Sequence, residues 1–70
     1  MTIGERIDKC IKAKGITQRE LAAMTGCTEV SMSRYVNDQR VPHVVILLNI
    51  ARVLGVSTDY LLGADGDEPT

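Results

Sequence analysis

Four side chains between positions 29 and 34 could recognise hydrogen-bonding and apolar groups on another molecule. They are a carboxylate, an isopropyl group, a hydroxyl and a guanidinium, carried by Glu29, Val30, Ser33 and Arg34. If the segment is a helix whose buried side is formed by Met32, Tyr35 and Val36, these four side chains project outward from its first two turns. The outer face of this helix would then carry more than solubilising groups.

This set of groups matches the edges of base pairs in the major groove of DNA. An arginine there pairs bidentately with guanine, a glutamate accepts from the cytosine amino group and a valine contacts the thymine methyl. We therefore predict that Glu29, Val30, Ser33 and Arg34 read bases. Simpler roles stay open, because Glu29 can complement the helix dipole and Arg34 can neutralise a phosphate. Val30 and Ser33 can be ordinary surface residues.

The sequence lacks the residues that catalysis or a metal site needs. It has one histidine, no paired acid and base, and no glycine loop that would cradle a phosphate. Cys10 and Cys27 are too far apart for a CxxC motif, so we expect two free buried thiols, with a redox switch at Cys27 as the alternative. We expect no enzymatic activity, no cofactor, no metal and no small-molecule ligand.

The composition indicates one small domain with an uneven charge distribution. Seventy residues support a single core, and that core must be aliphatic because Tyr35 and Tyr60 are the only aromatic residues. Residues 1–55 carry eight basic and five acidic side chains, whereas residues 56–70 carry four acidic and no basic ones. The net charge of −1 therefore hides a mildly basic body and an acidic tail.

The apolar runs do not indicate a targeting or membrane segment. Charged residues interrupt the N-terminal region before an apolar stretch could form. The longest apolar run, residues 44–54, is far shorter than the ~20 residues that span a bilayer. A cytoplasmic protein without membrane contact is the expectation.

Capping residues and glycines divide the chain into five predicted helices. The hydroxyl-bearing residues placed to cap helix starts are Thr2, Thr17, Thr28 and Ser57. The expected helices cover residues 3–14, 18 to 24 or 25, 29–36, a fourth that holds Pro42 in its first turn and ends at Leu54, and 58–62. No strand pattern competes with these helices. Residues 64–70 have no apolar period and are predicted to be a disordered acidic tail or the start of a linker.

The second and third predicted helices are separated only by a short turn. Ala22 and Gly26 are small enough for the two backbones to approach at a steep angle, which predicts a helix-turn-helix. The chain resembles the Cro/repressor-type (XRE-like) DNA-binding domains of bacterial and phage transcriptional regulators. The resemblance is carried by TQRELAAMTG (17–26), SMSRYVNDQRVP (31–42) and LLNIARVLGVSTDYLLG (47–63).

The resemblance implies both a fold and a function. The implied fold is all-α, a compact five-helix bundle of the lambda-repressor-like kind over residues 1–63. The implied function is sequence-specific binding of double-stranded DNA by a transcriptional regulator, in particular a repressor, with the third helix in the major groove. The positions that would contact DNA phosphates are Gln18, Thr28, Asn37, Arg40 and His43. For His43, an ordinary surface histidine is the alternative.

Dimer formation is implied by the same resemblance. Such domains commonly bind palindromic operators as homodimers through the region of the fourth and fifth helices. Ile46 and Val53 lie where such a contact would form. The alternative is that they fill gaps in a core without large aromatic residues.

Two positions depart from the pattern of that family. Thr25 stands where an aliphatic residue is usual, which is expected to weaken the packing of the second helix slightly. Asp38 replaces the glycine that commonly follows the asparagine at the end of the third helix. Its carboxylate is expected to bring negative charge near the DNA phosphates.

A protein-interaction module on the same fold, such as an antitoxin-like protein or an adaptor, is the alternative function. The modest net charge favours this class. The presence of Arg34, Gln18 and Arg40 on one predicted face favours DNA.

Overall fold

The computed structural model describes residues 1–64, which form five α-helices. These are α1 (Ile3–Lys14), α2 (Gln18–Thr25), α3 (Glu29–Val36), α4 (Val44–Leu54) and α5 (Thr58–Leu62). The bounds of α1, α2, α3 and α5 agree with those expected, and the predicted all-helical architecture is confirmed. The predicted acidic tail lies outside the described residues apart from Ala64.

The start of α4 differs from the prediction. The helix begins at Val44, with His43 in extended conformation at the N-cap, so Pro42 precedes the helix instead of lying in its first turn. Pro42 is buried although Val41 and His43 on either side are exposed. The chain is therefore still extended at His43, and the helix begins later than the sequence pattern indicates.

Hydroxyl groups begin the other four helices, as predicted. Each capping side chain accepts a hydrogen bond from the backbone amide three residues further on, in the geometry that satisfies an otherwise unpaired helix amide. The residues are Thr2, Thr17, Thr28 and Ser57. Glu5 and Glu20 complete capping boxes at the starts of α1 and α2.

All five helices contribute to one aliphatic core. Its buried members are Ile7, Ile11, Leu21, Ala22, Met32, Tyr35, Leu47, Ile50, Ala51 and Leu61. The second helix packs against α3 and α4, while α1 contacts α3, α4 and α5. The third helix, α3, is thus supported by α1 and α2.

The turn between α2 and α3 has the predicted glycine geometry. Gly26 has φ of 80°, a left-handed conformation that only glycine adopts at little cost. The amide of Cys27 then donates to the carbonyl of Ala22 at 3.1 Å, which closes the turn. Ala22 is itself buried, as a close approach of the two helices requires.

Thr25 is accommodated in the core without an unpaired hydroxyl. Its Oγ1 donates to the Leu21 carbonyl at 2.8 Å, a bond that satisfies the buried polar group. The Thr25 carbonyl also accepts from Asn49 Nδ2 at 3.4 Å, which links α2 to α4. The link to α4 uses the backbone of residue 25 and does not depend on the threonine, whose hydroxyl is satisfied within α2.

The N-terminus of α1 lies directly against the C-terminus of α3. Gly4 is buried there, and a Cβ atom at this position would lie 2.7 Å from the carbonyl oxygen of Tyr35 and closer still to that of Val36. Only glycine allows the two backbones to come this near. The sequence analysis gave Gly4 no role.

Arg6 is buried, so it does not belong to the outer basic surface. It is 4% exposed, its Nη1 donates to the Met1 carbonyl at 2.7 Å, and its guanidinium lies 6.0 Å from the centroid of the Tyr60 ring. The position could have been predicted, because residue 6 falls on the same helical face as Ile3, Ile7 and Cys10.

Both cysteines are free and half-buried. Burial raises the pKa of the Cys10 thiol, and the charge of Lys9 and a hydrogen bond with Tyr60 oppose this effect. Among residues 1–64, no group of three or more His, Cys, Asp or Glu side chains is arranged to hold a metal ion. No helix in this part of the chain is long and apolar enough to cross a membrane.

Candidate nucleic-acid interface

The orientation of α3 is fixed by its buried side. Met32 and Tyr35 are enclosed in the core, and Val36 packs partly against it. Inward positions at this helical spacing turn the opposite side of the helix toward solvent. Glu29 and Arg34 are exposed there, as the sequence analysis predicted.

The outer side of α3 forms one wall of an open groove of about 430 Å³. Its lining residues are Gln18, Glu29, Val30, Ser33, Arg34 and Gln39. All four predicted base-reading residues therefore meet in one groove, together with one predicted phosphate contact, Gln18. Val30 is 61% exposed, so the groove contains an apolar side chain that is largely open to solvent.

The polar groups of the groove differ in their availability. Asn37 Nδ2 donates to the Ser33 carbonyl at 2.8 Å and to Ser33 Oγ at 3.3 Å, so these two predicted contact residues are joined to each other. The side chains of Glu29, Arg34 and Gln39 make no hydrogen bond or ion pair within the described part of the chain. They can therefore meet a ligand without breaking an internal contact.

The first turn of α2 reaches the groove from the opposite wall. Gln18 is the first residue of this helix, directly after the capping box formed by Thr17 and Glu20. The box uses the amides of Thr17 and Glu20, at 2.9 and 3.0 Å, and fixes the helix start. Gln18 is thereby held at a rigid helix N-terminus, where backbone amides favour anions.

The remaining predicted phosphate contacts surround α3 outside the groove lining. Thr28 is exposed, and its hydroxyl accepts from the Ser31 amide at 3.0 Å and donates to Ser31 Oγ at 3.0 Å. Arg40 and His43 are exposed in the segment between α3 and α4. Neither of these two side chains makes a hydrogen bond or an ion pair with another residue within 1–64, so both are available to a ligand.

The carboxylate of Asp38 is hydrogen-bonded to the start of α1. Its Oδ2 accepts from Thr2 Oγ1 at 2.5 Å and its Oδ1 accepts from the Gly4 amide at 2.9 Å. The negative charge is thus directed into the first turn of α1, where the helix dipole favours it. The expectation that this charge lies near the DNA phosphates stays a prediction. Asp38 also has φ of 59°, the left-handed conformation for which the family commonly uses glycine.

The exposed apolar side chains of α4 are not the two that the sequence analysis named. Ile46 and Val53 are half-buried and pack against the core, in keeping with the alternative in which they fill it. Val44, Val45 and Leu48 are 69%, 57% and 40% exposed. We call these three residues the α4 apolar patch.

Comparison with known proteins identifies the family. The sequence profile of the helix-turn-helix family matches residues 7–61. The chain belongs to the helix-turn-helix family. This helix-turn-helix domain is 37% identical over 65 residues to the HTH-type transcriptional regulator ImmR of Bacillus subtilis (strain 168). It is 38% identical over 64 residues to the regulator YqaE of the same organism.

These matches cover most of the domain but only part of the relatives. They include 93% and 91% of this chain, but 51% and 55% of ImmR and YqaE. The domain therefore spans about half the length of these relatives. Their names place them among transcriptional regulators, a non-enzymatic class, in agreement with the prediction that the chain is not an enzyme.

Solved structures give the same result for the fold. The domain is similar to the P22 c2 repressor protein in complex with a synthetic operator, with a TM-score of 0.88, 34% identity, and coverage of 93% of this chain and 98% of that one. It is also similar to a chain of the SinR protein/SinI protein complex, with a TM-score of 0.85 and 28% identity. That match covers 99% of this chain and 68% of the other.

Proposed function

We propose that this helix-turn-helix domain inserts α3 into the major groove of double-stranded DNA and is the DNA-reading part of a transcriptional repressor. The carrying observation is the convergence of Glu29, Val30, Ser33, Arg34 and Gln18 in one groove. Repression would follow from occupation of a promoter. The solved repressor–operator complex with the same fold supports this use of the surface.

The four base-reading residues would divide the work by chemistry. Arg34 would donate both ends of its guanidinium to guanine, and Glu29 would accept from the cytosine amino group. The exposed Val30 would contact a thymine methyl, and Ser33 would donate or accept. Since the side chains of Glu29 and Arg34 are unpaired within residues 1–64, their hydrogen-bonding capacity is available to bases.

The phosphate contacts would position the domain without reading sequence. Gln18 at the start of α2 would donate its amide to one phosphate, beside the helix amides that favour anions. Arg40 and His43 would contact phosphates with their guanidinium and imidazole groups on the other side of α3. Thr28 and Asn37 would contact phosphates from the two ends of α3. These five contacts fix the register of α3 in the groove.

We further propose that two copies bind a palindromic operator as a homodimer. A contact through α4 would leave both reading helices free to enter successive major grooves, with half-sites about 10 base pairs apart or a multiple of that. The α4 apolar patch supports this part of the proposal, because exposed apolar clusters mark interfaces. Ile46 and Val53 would then back the interface from its buried side.

The experiment is selection of bound duplexes from a random-sequence DNA pool at near-physiological salt, read by sequencing. The expected result is an enriched inverted repeat, whose spacing gives the dimer geometry. Enrichment of no sequence would contradict specific binding and would favour the protein-interaction module. The similarity to a chain of the SinR protein/SinI protein complex makes a protein-interaction module the second candidate.

Two variants test the assigned roles within the same selection. Arg34→Ala is expected to weaken binding of the selected operator by about 1–3 kcal/mol and to remove the preference at one base position. Gln18→Ala should weaken all sequences to a similar extent, because a phosphate contact carries no base information. A uniform loss in both variants would contradict the role given to Arg34.

A further inference from the structure

Gln39 lies in the groove although it follows the reading helix by three residues. Its side chain lines the same surface as Gln18 and Arg34. Its backbone amide donates to the Arg34 carbonyl at 2.9 Å, which holds Gln39 beside the last turn of α3. Neither the sequence analysis nor the base-reading set described above includes this residue.

The turn that brings Gln39 back to the groove is made by Asp38. Asp38 has the left-handed conformation, and the next residue, Gln39, lies beside the last turn of α3 with its amide bonded to the Arg34 carbonyl. The two hydrogen bonds that the Asp38 carboxylate accepts, from the Thr2 hydroxyl and the Gly4 amide, tie this turn to the start of α1. Gln39 is therefore presented by an anchored turn, although it lies outside the helices.

The side chain of Gln39 has the chemistry that base recognition requires. Its amide offers one acceptor and two donors, and it uses none of them within residues 1–64. Glutamine pairs bidentately with N6 and N7 of adenine in the major groove. The neighbouring Asp38, by contrast, uses its carboxylate on α1 and does not line the groove.

We propose that Gln39 is a further specificity-determining residue that selects an adenine next to the base pair read by Arg34. The inference rests on the proposed function, because it requires α3 to lie in the major groove. It extends the reading surface beyond the helix to the turn that follows it. Gln39 would thus contact a base and contribute to sequence specificity, whereas a phosphate contact would not.

The test uses duplex selection with the wild-type domain and with Gln39→Ala and Gln39→Glu. Gln39→Ala should reduce the preference at one base position by about tenfold and leave the other positions unchanged. Gln39→Glu should move the preference at that same position toward cytosine, because a carboxylate accepts from the cytosine amino group but cannot donate to adenine N7. Circular dichroism melting of each variant verifies that it is folded.

Arg40→Ala is the matched comparison, since Arg40 is the next residue along the chain but does not line the groove. This variant should lower binding of all sequences evenly. If Gln39→Ala behaves in the same even way, or keeps every wild-type preference, the inference is overturned. If the wild-type domain itself enriches no sequence, the proposed function fails first, so the two failures are distinguishable.

Discussion

Asp38 combines an unfavourable backbone conformation with two favourable contacts. The left-handed region costs most non-glycine residues roughly 1–2 kcal/mol, although aspartate adopts it more readily than alanine does. The hydrogen bonds from Thr2 Oγ1 and the Gly4 amide, and the dipole of α1, act in the opposite direction. The residue therefore holds the end of the reading helix to the start of α1 at the point where Gly4 allows the two to touch.

At this position we predict that Asp38→Ala lowers the free energy of unfolding by about 2–3 kcal/mol, because the backbone strain stays while the capping contacts are lost. Asp38→Gly removes the same contacts but relieves the strain, so its loss should be smaller by about 1 kcal/mol or more. Urea unfolding curves of both variants and the wild type measure the differences. Equal curves for wild type and Asp38→Ala would mean that the carboxylate does not stabilise α1.

Single residues that join distant segments were the hardest to predict. Gly4 has the local appearance of a weak helix residue, and its need for a missing Cβ arises from carbonyls that lie more than thirty positions away in the sequence. The placement of Gln39 depends likewise on the conformation of Asp38. Neither contact leaves a periodic pattern in the sequence. The sequence therefore predicted which side of α3 faces solvent, but not the close approach at Gly4 or the place of Gln39 beside α3.

Helices were predicted well because their signals are local. Thr2, Thr17, Thr28 and Ser57 cap the helices that they were expected to cap, and the bounds followed from them. The exception is α4, which begins at Val44, after the buried Pro42. Proline is compatible with the first turn of a helix and with the extended segment before it, so only the tertiary structure decides between them.

The same helix lacks the cap that the other four possess. His43 occupies the N-cap of α4 and makes no capping hydrogen bond with its side chain. A serine or threonine there would satisfy one more helix amide. The position thus lacks a stabilising contact, and its side chain is exposed on the side of the molecule where we propose that phosphates bind.

We predict that His43→Ser raises the free energy of unfolding by about 0.5–1 kcal/mol and weakens binding of the selected operator. The first effect comes from the new cap on α4, and the second from the loss of the proposed phosphate contact. Thermal unfolding measures the change in stability, and a DNA titration measures the change in operator affinity. Thr17→Ala, which removes an existing cap from α2, calibrates the value of such a bond in this domain.

A gain in stability with unchanged DNA affinity would make His43 an ordinary surface residue, the alternative that the sequence left open. Loss of stability would contradict the capping argument itself. Thermal unfolding therefore tests the cap of α4, and the DNA titration separately tests the proposed phosphate contact of His43.

For the molecule as a whole, apolar side chains are exposed on α4 as well as in the groove beside α3. The core takes up Ile46 and Val53 and still leaves Val44, Val45 and Leu48 exposed on α4. Val44 and Leu48 are one turn apart, so they lie on the same side of the helix. Interfaces between copies use apolar surface of this kind.

We predict that Val44→Glu and Leu48→Glu each raise the monomer fraction in analytical ultracentrifugation, because a buried carboxylate opposes association. Met24→Glu is the matched control, since Met24 is 56% exposed on α2 and lies outside the α4 apolar patch. These changes are better tests than charges at Ile46 or Val53, whose packing against the core would couple association to folding.

The same variants should be measured on the selected operator, because a weak dimer forms when two half-sites hold the copies together. If α4 carries the contact, Leu48→Glu lowers binding to the inverted repeat far more than binding to a single half-site, since only the repeat benefits from the neighbouring copy. Equal losses on both duplexes, with an unchanged mass in solution, would remove α4 from the interface. The inverted repeat would then require a contact through another surface, and the exposed valines of α4 would need a different partner.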